Sequence, residues 1–290
     1  MRPRPTLEHI WLGYLAAVLG VGLTTPAPLP TASLAAHVAV HVLMLVAVLS
    51  VRWRAVHRSH DAARPWRIVL GLCGLPIVFS AMGWLLPAVN PEPHEYLWLR
   101  FDRAVFGTDV ARLADRWLAP WGVDVLQVVY AGFYFVPIVA VTSAARSGRA
   151  AFDRGAVLVV GAFLASYLGY LLVPTLSPNA VLAHAHDVTG LWFTGHLRPA
   201  IDAAEANPWD CFPSGHTMLT VTSLLVAWRW NRTCFWLLLP VALTLIASTM
   251  LLRYHWSCDV LAGAAVAWPC ARLCDVLMDL DAWPSAVRAG

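Results

Sequence analysis

The sequence contains no lysine and few charged residues of any kind. Its 20 basic residues are all arginine, and charged residues make up 13% of the 290 residues, whereas hydrophobic residues make up 59%. A soluble domain normally has roughly a quarter of its residues charged, so this composition excludes an ordinary soluble protein. The absence of lysine excludes catalysis by a lysine amine. The net charge of +3 is too small to indicate a protein that binds nucleic acid.

The six cysteines lack the spacing of a metal site, because no Cys-x-x-Cys pair with partner histidines occurs. Four of them lie in or beside apolar segments and are expected to pack as small apolar side chains. Cys211 and Cys258 lie near the histidine motifs described below. They are expected to be two unpaired thiols, or a disulfide if their side of the membrane is oxidising. The sequence predicts no metal and no other cofactor.

Long apolar segments predict eight membrane-spanning helices. Each is close to the ~20 residues that a helix needs to cross the hydrocarbon core. The predicted spans are 7–23, 31–51, 68–89, 123–142, 156–173, 213–229, 234–252 and 256–276. Seven spans remain the alternative, because the first segment contains several glycines. The predicted fold is all-α, a polytopic membrane helix bundle.

The arginines predict the orientation of the bundle. If the N-terminus is cytoplasmic, fourteen arginines fall in inner segments and six in outer segments, as the positive-inside rule requires. Two outer segments are long. Residues 90–122 carry apolar residues and tryptophans at helical spacing, which predicts a helix in the headgroup layer or a plug in the bundle. Residues 174–212 read as a structureless loop, and loops of that length are usually functional.

A first motif, Pro213-Ser214-Gly215-His216, follows this loop directly. Proline is favoured at a helix start, serine caps helices, and glycine allows a ligand to approach the backbone. The amides at a helix start bind phosphate well. The alternative is an ordinary capped helix with a histidine at the membrane interface.

A second motif contains Arg253, His255 and Asp259. It follows the first motif after about two membrane-crossing lengths, so both histidines are expected on the same, non-cytosolic face. A carboxylate four residues after a histidine can fix its tautomer and leave the other ring nitrogen as a nucleophile. Arg253 and Arg198 are candidate phosphate ligands through their guanidinium groups, or alternatively contact lipid headgroups.

These motifs resemble those of the type 2 phosphatidic acid phosphatase superfamily, which includes lipid phosphate phosphatases, bacterial acid phosphatases and vanadium haloperoxidases. Its pattern is Lys-x6-Arg-Pro, then Pro-Ser-Gly-His, then Ser-Arg-x5-His-x3-Asp. The second part is complete at 213–216, and His255 with Asp259 matches the core of the third. Of the first part only Arg198-Pro199 is present.

The sequence departs from that pattern at two positions. Leu191 stands at the position of the lysine, and Thr249 at the position of the arginine in the third part, so Arg253 is expected to serve instead. Four segments resemble the inositolphosphotransferase-type branch, similar to inositol phosphorylceramide synthases: 102–107, 130–137, 174–178 and 253–259.

The resemblance covers about residues 68–276. It implies a six-helix phosphatase core within 68–280, which contains the interfacial segment 90–122 and the active-site loop 174–212. The two N-terminal helices within 1–60 are additional to that core.

The expected function is that of a membrane enzyme acting on a lipid phosphate ester, with the bilayer and a lipid substrate as partners and no nucleic acid. The expected catalytic residues are His255 as nucleophile, Asp259 as the carboxylate that holds the His255 ring, and His216 as proton donor. The expected phosphate ligands are Ser214, Gly215, Arg253 and Arg198, with no metal. The acceptor is water in a phosphatase or a lipid alcohol in a headgroup transferase. A transporter is a remote alternative. It would place charged residues near mid-span, whereas here the histidines and Asp259 cluster at one membrane boundary.

Overall fold

The chain folds into α-helices over the residues that the computed structural model describes, namely 6–25, 30–89, 94–112, 118–184, 187–205 and 207–280. The α-helices are α1 (Thr6–Thr24), α2 (Thr31–His57), α3 (His60–Val69), α4 (Leu75–Val89), α5 (Glu95–Phe106), α6 (Pro120–Ala131), α7 (Phe135–Ala144), α8 (Arg149–Leu172), α9 (Pro178–Val181), α10 (Thr194–Ala204), α11 (Gly215–Trp230), α12 (Arg232–Leu251) and α13 (Ser257–Leu280). Short π- and 3₁₀-helical segments continue α3 into α4 and α6 into α7. Apart from one isolated bridge between Thr175 and Asp210, the described residues form no β-structure. The predicted all-α fold is confirmed.

Seven helical segments of the described residues are long and apolar enough to cross a membrane. They are Leu7–Thr24, Thr31–His57, His60–Val89, Pro120–Ser147, Arg149–Leu172, Arg232–Leu251 and Ser257–Asp279. The chain is therefore a multi-pass membrane protein. The remaining predicted span, 213–229, forms α11, whose 16 residues extend only ~24 Å against a hydrocarbon core of ~30 Å. This short helix packs against α7, α8, α12 and α13, so protein rather than lipid surrounds it.

The two N-terminal helices pack directly on the core. Their buried residues belong to the same hydrophobic cluster as those of α7, α8 and α11, and the ring of Tyr14 on α1 meets that of Tyr167 on α8. Glu8, which is fully buried, accepts hydrogen bonds from Nε and Nη2 of Arg67 at 2.8 and 3.2 Å. Residues 1–5 and 26–29 lie outside the described part.

Helices α11 and α12 form a hairpin that turns at one residue. Asn231 donates its backbone amide to the Ala227 carbonyl at 2.8 Å, and its side-chain oxygen accepts the amide of Cys234 at 3.1 Å. The same residue therefore ends α11 and caps α12, as asparagine does well. After α12 the chain has returned to the end of the bundle at which α11 began.

Both long segments that the arginine distribution predicts to be outer contain helices. The predicted helix in 90–122 is present as α5, while 90–93 and 113–117 lie outside the described residues; its location in the headgroup layer stays a prediction. The expectation of a structureless loop at 174–212 is wrong in part, because α9 and α10 lie within it. Helix α10 carries Arg198.

Candidate active site

The two motif histidines meet at one end of the bundle. His216 lies in the first turn of α11, and His255 lies in the turn between α12 and α13. Their rings stand edge to face with centroids 5.5 Å apart. Nε2 of His255 lies 3.4 Å from Nδ1 of His216. The structure thus brings together the two rings that the sequence predicts to share a site.

Asp259 supports His255 from the first turn of α13. Its Oδ2 lies 3.5 Å from Nδ1 of His255 and accepts the backbone amide of Trp256 at 2.9 Å. Asp259 is fully buried, and His255 is 5% exposed. The main-chain oxygen of Asp259 also accepts the amide of Ser214 at 2.9 Å. This last bond ties the second motif directly to the first.

Ser214 and Gly215 form the start of α11 as the sequence predicts. The Ser214 hydroxyl accepts the backbone amide of Thr217 at 3.2 Å and so caps the helix. Gly215 lies against α8, where a Cβ would overlap the Tyr170 hydroxyl. A larger residue at 215 would therefore have to displace the Tyr170 side chain. The amides of Gly215 and His216 belong to the first turn, whose N–H groups a helix cannot pair internally.

A cavity of about 170 Å³ opens beside the histidine pair. His216 and His255 line it, together with the carboxyl groups of Asp202, Glu205 and Asp210. The ring of Tyr130 and other polar groups complete the wall. The described residues therefore place both histidines at the edge of a small polar chamber.

The part of the chain that forms this site matches a known protein family. A family model described as the PAP2 superfamily matches residues 95–273. The chain belongs to the PAP2 superfamily. No curated protein and no solved structure matches it significantly. Membership in the PAP2 superfamily supports a phosphatase-type lipid phosphoesterase, and the match includes both histidine motifs and the cavity while leaving α1 to α4 outside.

Glu205 is a residue of this PAP2 site that sequence reasoning missed. Its Oε1 lies 3.3 Å from Nε2 of His216, and its carboxylate accepts the hydroxyls of Tyr130 at 3.0 Å and Tyr134 at 3.3 Å. Burial alone would raise the pKa of the Glu205 carboxyl. The nearby imidazole and the hydrogen bonds outweigh that effect, so its pKa is lowered. An acid eleven residues before a histidine carries no local signal of such a contact.

Asp210 has the opposite electrostatic environment. Burial and the charge of Glu205 raise the pKa of the Asp210 carboxyl well above its ordinary value. The two acids differ because Glu205 lies beside the His216 imidazole and accepts the hydroxyl of Tyr130, whereas Asp210 lies beside the charge of Glu205. The cavity of this PAP2 site therefore contains one acid stabilised as a carboxylate and one whose protonated form is favoured.

Aromatic rings enclose His216. The ring of Tyr130 stacks on it at 4.6 Å between centroids, and that of Phe133 lies 4.2 Å away. Tyr130 also stacks on Tyr254 at 4.2 Å. The segment 130–137, noted for its resemblance to one branch of the family, thus supplies the walls that fix the orientation of the histidine.

Of the two candidate phosphate-binding arginines, Arg253 belongs to the second motif, and Arg198 contacts that motif from α10. Arg198 donates from Nη1 to the Leu252 carbonyl at 3.1 Å, and its guanidinium lies 4.9 Å from the Tyr254 ring centroid. Arg253 is 2% exposed, and its main-chain oxygen accepts the amide of Asn179 at 3.1 Å. Within the described residues, neither arginine lines the cavity.

Helix α5 contacts residues beside or within both motifs. The ring of Trp98 stacks on Phe212, which precedes the first motif, with centroids 4.8 Å apart. The Asp102 carboxylate accepts a short hydrogen bond from the hydroxyl of Ser257, at the start of α13. The segment 102–107, which sequence reasoning singled out by resemblance, therefore supports the helix that carries Asp259.

Both cysteines near the motifs are free thiols, in agreement with the simpler expectation. Cys211 is buried and donates its thiol to the Tyr254 carbonyl at 3.3 Å. Cys258 is partly exposed, and Cys211 but not Cys258 lines the cavity.

Proposed function

We propose that this PAP2 superfamily member cleaves a lipid phosphate ester through a covalent phosphohistidine on His255. The observation that carries the proposal is a pair of facing imidazoles, 3.4 Å apart, each with its own carboxylate. Asp259 lies behind His255, and Glu205 lies behind His216. A carboxylate behind an imidazole orients the ring and stabilises its charged form. One ring then acts as nucleophile while the other transfers a proton.

In the first step, the lone pair on Nε2 of His255 attacks phosphorus, and the bond from phosphorus to the leaving oxygen breaks. Nδ1 of protonated His216 gives its proton to that oxygen. Asp259 stabilises the positive charge that develops on the His255 ring as the nitrogen–phosphorus bond forms.

In the second step, an acceptor oxygen attacks the phosphohistidine, and the nitrogen–phosphorus bond breaks. Nδ1 of His216 takes the proton of the acceptor, so both rings return to their starting protonation states. Water as acceptor makes the enzyme a phosphatase. A lipid alcohol makes it a headgroup transferase, the alternative that the resemblance to inositol phosphorylceramide synthases supports.

The proposed ligands of the phosphate oxygens are Ser214, the amides at Gly215, and the guanidinium groups of Arg253 and Arg198. Neither arginine lines the cavity within the described residues, so both are expected to reach the phosphate only when substrate binds. There they would supply the positive charge that stabilises a transferring phosphoryl group, and the activity is expected to persist in a chelator. Nε2 of His255 and Nδ1 of His216 are 3.4 Å apart. A nucleophile in attack position itself stands ~3–3.5 Å from the atom it attacks, so this spacing leaves no room for a phosphorus atom between the two rings. Substrate binding is therefore expected to move the two rings apart.

The test is turnover of phosphatidic acid by the purified full chain in a chelator. His255→Ala is expected to lose at least about 10³-fold in kcat, because it removes the nucleophile. His196→Ala is the matched control, since His196 is an exposed histidine of α10. Phosphate trapped on the protein, labile to acid and absent from His255→Ala, identifies the intermediate. Unchanged turnover in His255→Ala would refute the proposal.

The same preparation separates hydrolysis from transfer. Phosphatidic acid, prenyl diphosphates and inositol phospholipids are offered with and without ceramide or diacylglycerol. A phosphorylated acceptor lipid as a second product identifies a transferase. Release of the free headgroup or phosphate at the same rate with and without acceptor identifies a phosphatase.

We further propose that the site faces the non-cytosolic side, as the arginine distribution indicates. Ala183 is exposed on the loop of the active-site end, and Ser147 is exposed at the opposite end of α8. In intact cells, a membrane-impermeant maleimide is expected to label Ala183→Cys and not Ser147→Cys, in a Cys73→Ser background. The reverse labelling would place the site in the cytosol.

A further inference from the structure

Three donor groups of different chemistry converge beside the histidine pair. Cys211, His255 and Asp259 each offer one ligand atom, and these atoms lie within 4.8 Å of one another. All three side chains are buried, with exposures of 2%, 5% and 0%. They come from three separate segments: the turn before α11, the turn between α12 and α13, and the first turn of α13.

The hydrogen-bonding capacity of these groups is incompletely used. Oδ1 of Asp259 is buried and has no hydrogen-bond partner within the described residues. Nδ1 of His255 lies 3.5 Å from Oδ2 of Asp259, which is longer than a well-formed hydrogen bond. The Cys211 thiol makes a weak bond of 3.3 Å to a carbonyl. These buried polar atoms therefore have hydrogen-bonding or ligating capacity left for a bound ion.

The donor set suits zinc. Zinc binds sulfur, imidazole nitrogen and carboxylate oxygen at ~2.0–2.3 Å in tetrahedral geometry, which places ligand atoms roughly 3.3–3.8 Å apart. The 3.5 Å between His255 and Asp259 already has this value. A thiolate adds preference for zinc or cadmium over magnesium or calcium, which prefer oxygen ligands.

The cavity provides both a route and a favourable charge for a cation. Cys211 and His255 line it, so an ion can reach them and keep a water in its fourth position. Asp202, Glu205 and Asp210 line the same cavity, and no arginine does among the described residues. A cleft lined by acids raises the local concentration of cations.

We propose that Cys211, His255 and Asp259 form an inhibitory site for Zn²⁺ at the centre of this enzyme. The inhibition rests on the proposed function, because it acts on the nucleophile. Zinc displaces the thiol proton of Cys211 to solvent and takes the lone pair of Nδ1 of His255. The single N–H of the neutral ring then resides on Nε2, which has no lone pair left to attack phosphorus. The metal also occupies the carboxylate of Asp259.

The experiment measures zinc inhibition and metal binding on the purified full chain in parallel. Inhibition is expressed relative to the zinc-free rate of each variant. Wild-type protein is expected to be inhibited by zinc at micromolar concentration or below, reversibly by chelator. Cys211→Ser is expected to raise the half-inhibitory concentration about tenfold or more, because loss of even a side chain that supports a metal ligand costs about 10–100-fold in affinity. Cys258→Ser is the matched control, with unchanged activity and unchanged inhibition.

Cadmium binding provides a readout that does not depend on turnover. Wild-type protein and Cys258→Ser are expected to show the ultraviolet absorption of a cadmium–thiolate bond at one equivalent, and Cys211→Ser and Cys211→Ala are expected to lack it. His255→Gln is expected to bind cadmium about tenfold more weakly. Equal zinc inhibition of Cys211→Ser and wild type, or an undiminished cadmium band in Cys211→Ser, would overturn the metal site. If His255→Ala remained active while the band depended on Cys211, the mechanism would fail and the metal site would stand.

Discussion

Gly263 lies where α13 packs against the first turn of α11. The segments that support the two histidines proposed to be catalytic meet at this point. A Cβ at this position would stand 2.5 Å from the main-chain oxygen of Ser214 and 3.2 Å from the amide nitrogen of Met218. Both neighbours are backbone atoms, which cannot turn away as a flexible side chain can. The substitution Gly263→Ala must therefore push the two helices apart.

The size of that displacement follows from the contact distances. Ordinary contact of a Cβ begins at 3.4 Å, so the backbone at Ser214 has to retreat by about 0.9 Å. Ser214 precedes His216 by two residues and is bonded to the main chain of Asp259. A misplacement of ~1 Å between reacting groups can cost on the order of 10²-fold in rate. Overpacking of this kind costs about 1–3 kcal/mol of stability, which leaves the variant folded.

The assay is kcat for phosphatidic acid hydrolysis, with thermal unfolding of the same preparation as the measure of folding. Gly263→Ala is expected to lose about 10²-fold in kcat with a modest fall in stability. Gly83→Ala, on α4, is the matched control, because a Cβ there meets nothing within 4 Å. Wild-type turnover in Gly263→Ala would show that the close approach of α11 and α13 does not set the geometry of the site.

Three further substitutions test separate parts of the structure. Glu205→Gln keeps the shape of the side chain but removes the charge behind His216. The kcat is expected to fall about 10²-fold with little change in KM, and Glu205→Asp is expected to recover part of the loss. An unchanged kcat in Glu205→Gln would contradict the role of Glu205. Asp102→Asn weakens the bond to the Ser257 hydroxyl and is expected to lower the free energy of unfolding by about 1–2 kcal/mol, measured by thermal unfolding. Glu8→Gln leaves Arg67 without its buried carboxylate, so a loss of roughly 3 kcal/mol is expected with unchanged kcat, because this pair lies at the opposite end of the bundle.

The apolar helices were predictable from composition alone, because a helix that crosses a membrane must be apolar over most of its length. Short helices were less predictable. Hydropathy located α11, but nothing in 213–229 indicates that the helix ends after 16 residues and is enclosed by protein. The stop is made by Asn231, which turns the chain directly into α12.

Of the two helices within 174–212, α10 was missed because the carboxylate at its start comes from a distant part of the chain. Both carboxylate oxygens of Asp124 accept the amides of four successive residues, Leu191 to Thr194, at 2.8 to 3.1 Å. Asp124 lies on α6, 67 to 70 positions away in sequence. Prolines such as Pro199 made the segment read as irregular, and the capping carboxylate carries no local signal. Gly190 is required at this junction, because a Cβ there would overlap the Asp124 carboxylate.

The site was predictable as far as the residues that the motifs contain. His216, His255 and Asp259 stand in sequence patterns whose spacing implies a shared end of the bundle. Glu205 lies in no such pattern, and Tyr130 lies in segment 130–137, which resemblance singled out but whose contact with His216 no spacing indicates. Only tertiary packing brings the two side chains to His216. Side chains that position a catalytic group are therefore harder to predict than the group itself.

The backbone distinguishes the two arginines proposed to bind phosphate. Arg198 sits in an ordinary helix, and its guanidinium is engaged with the Leu252 carbonyl and the ring of Tyr254. Arg253 has a φ of 68°, in the left-handed region that only glycine enters without cost. An arginine there costs of order 1 kcal/mol or more, and glycine would remove that cost. Because strain of this kind is found where a side chain is needed for function, the conformation favours Arg253, two residues before the proposed nucleophile, as the principal phosphate ligand.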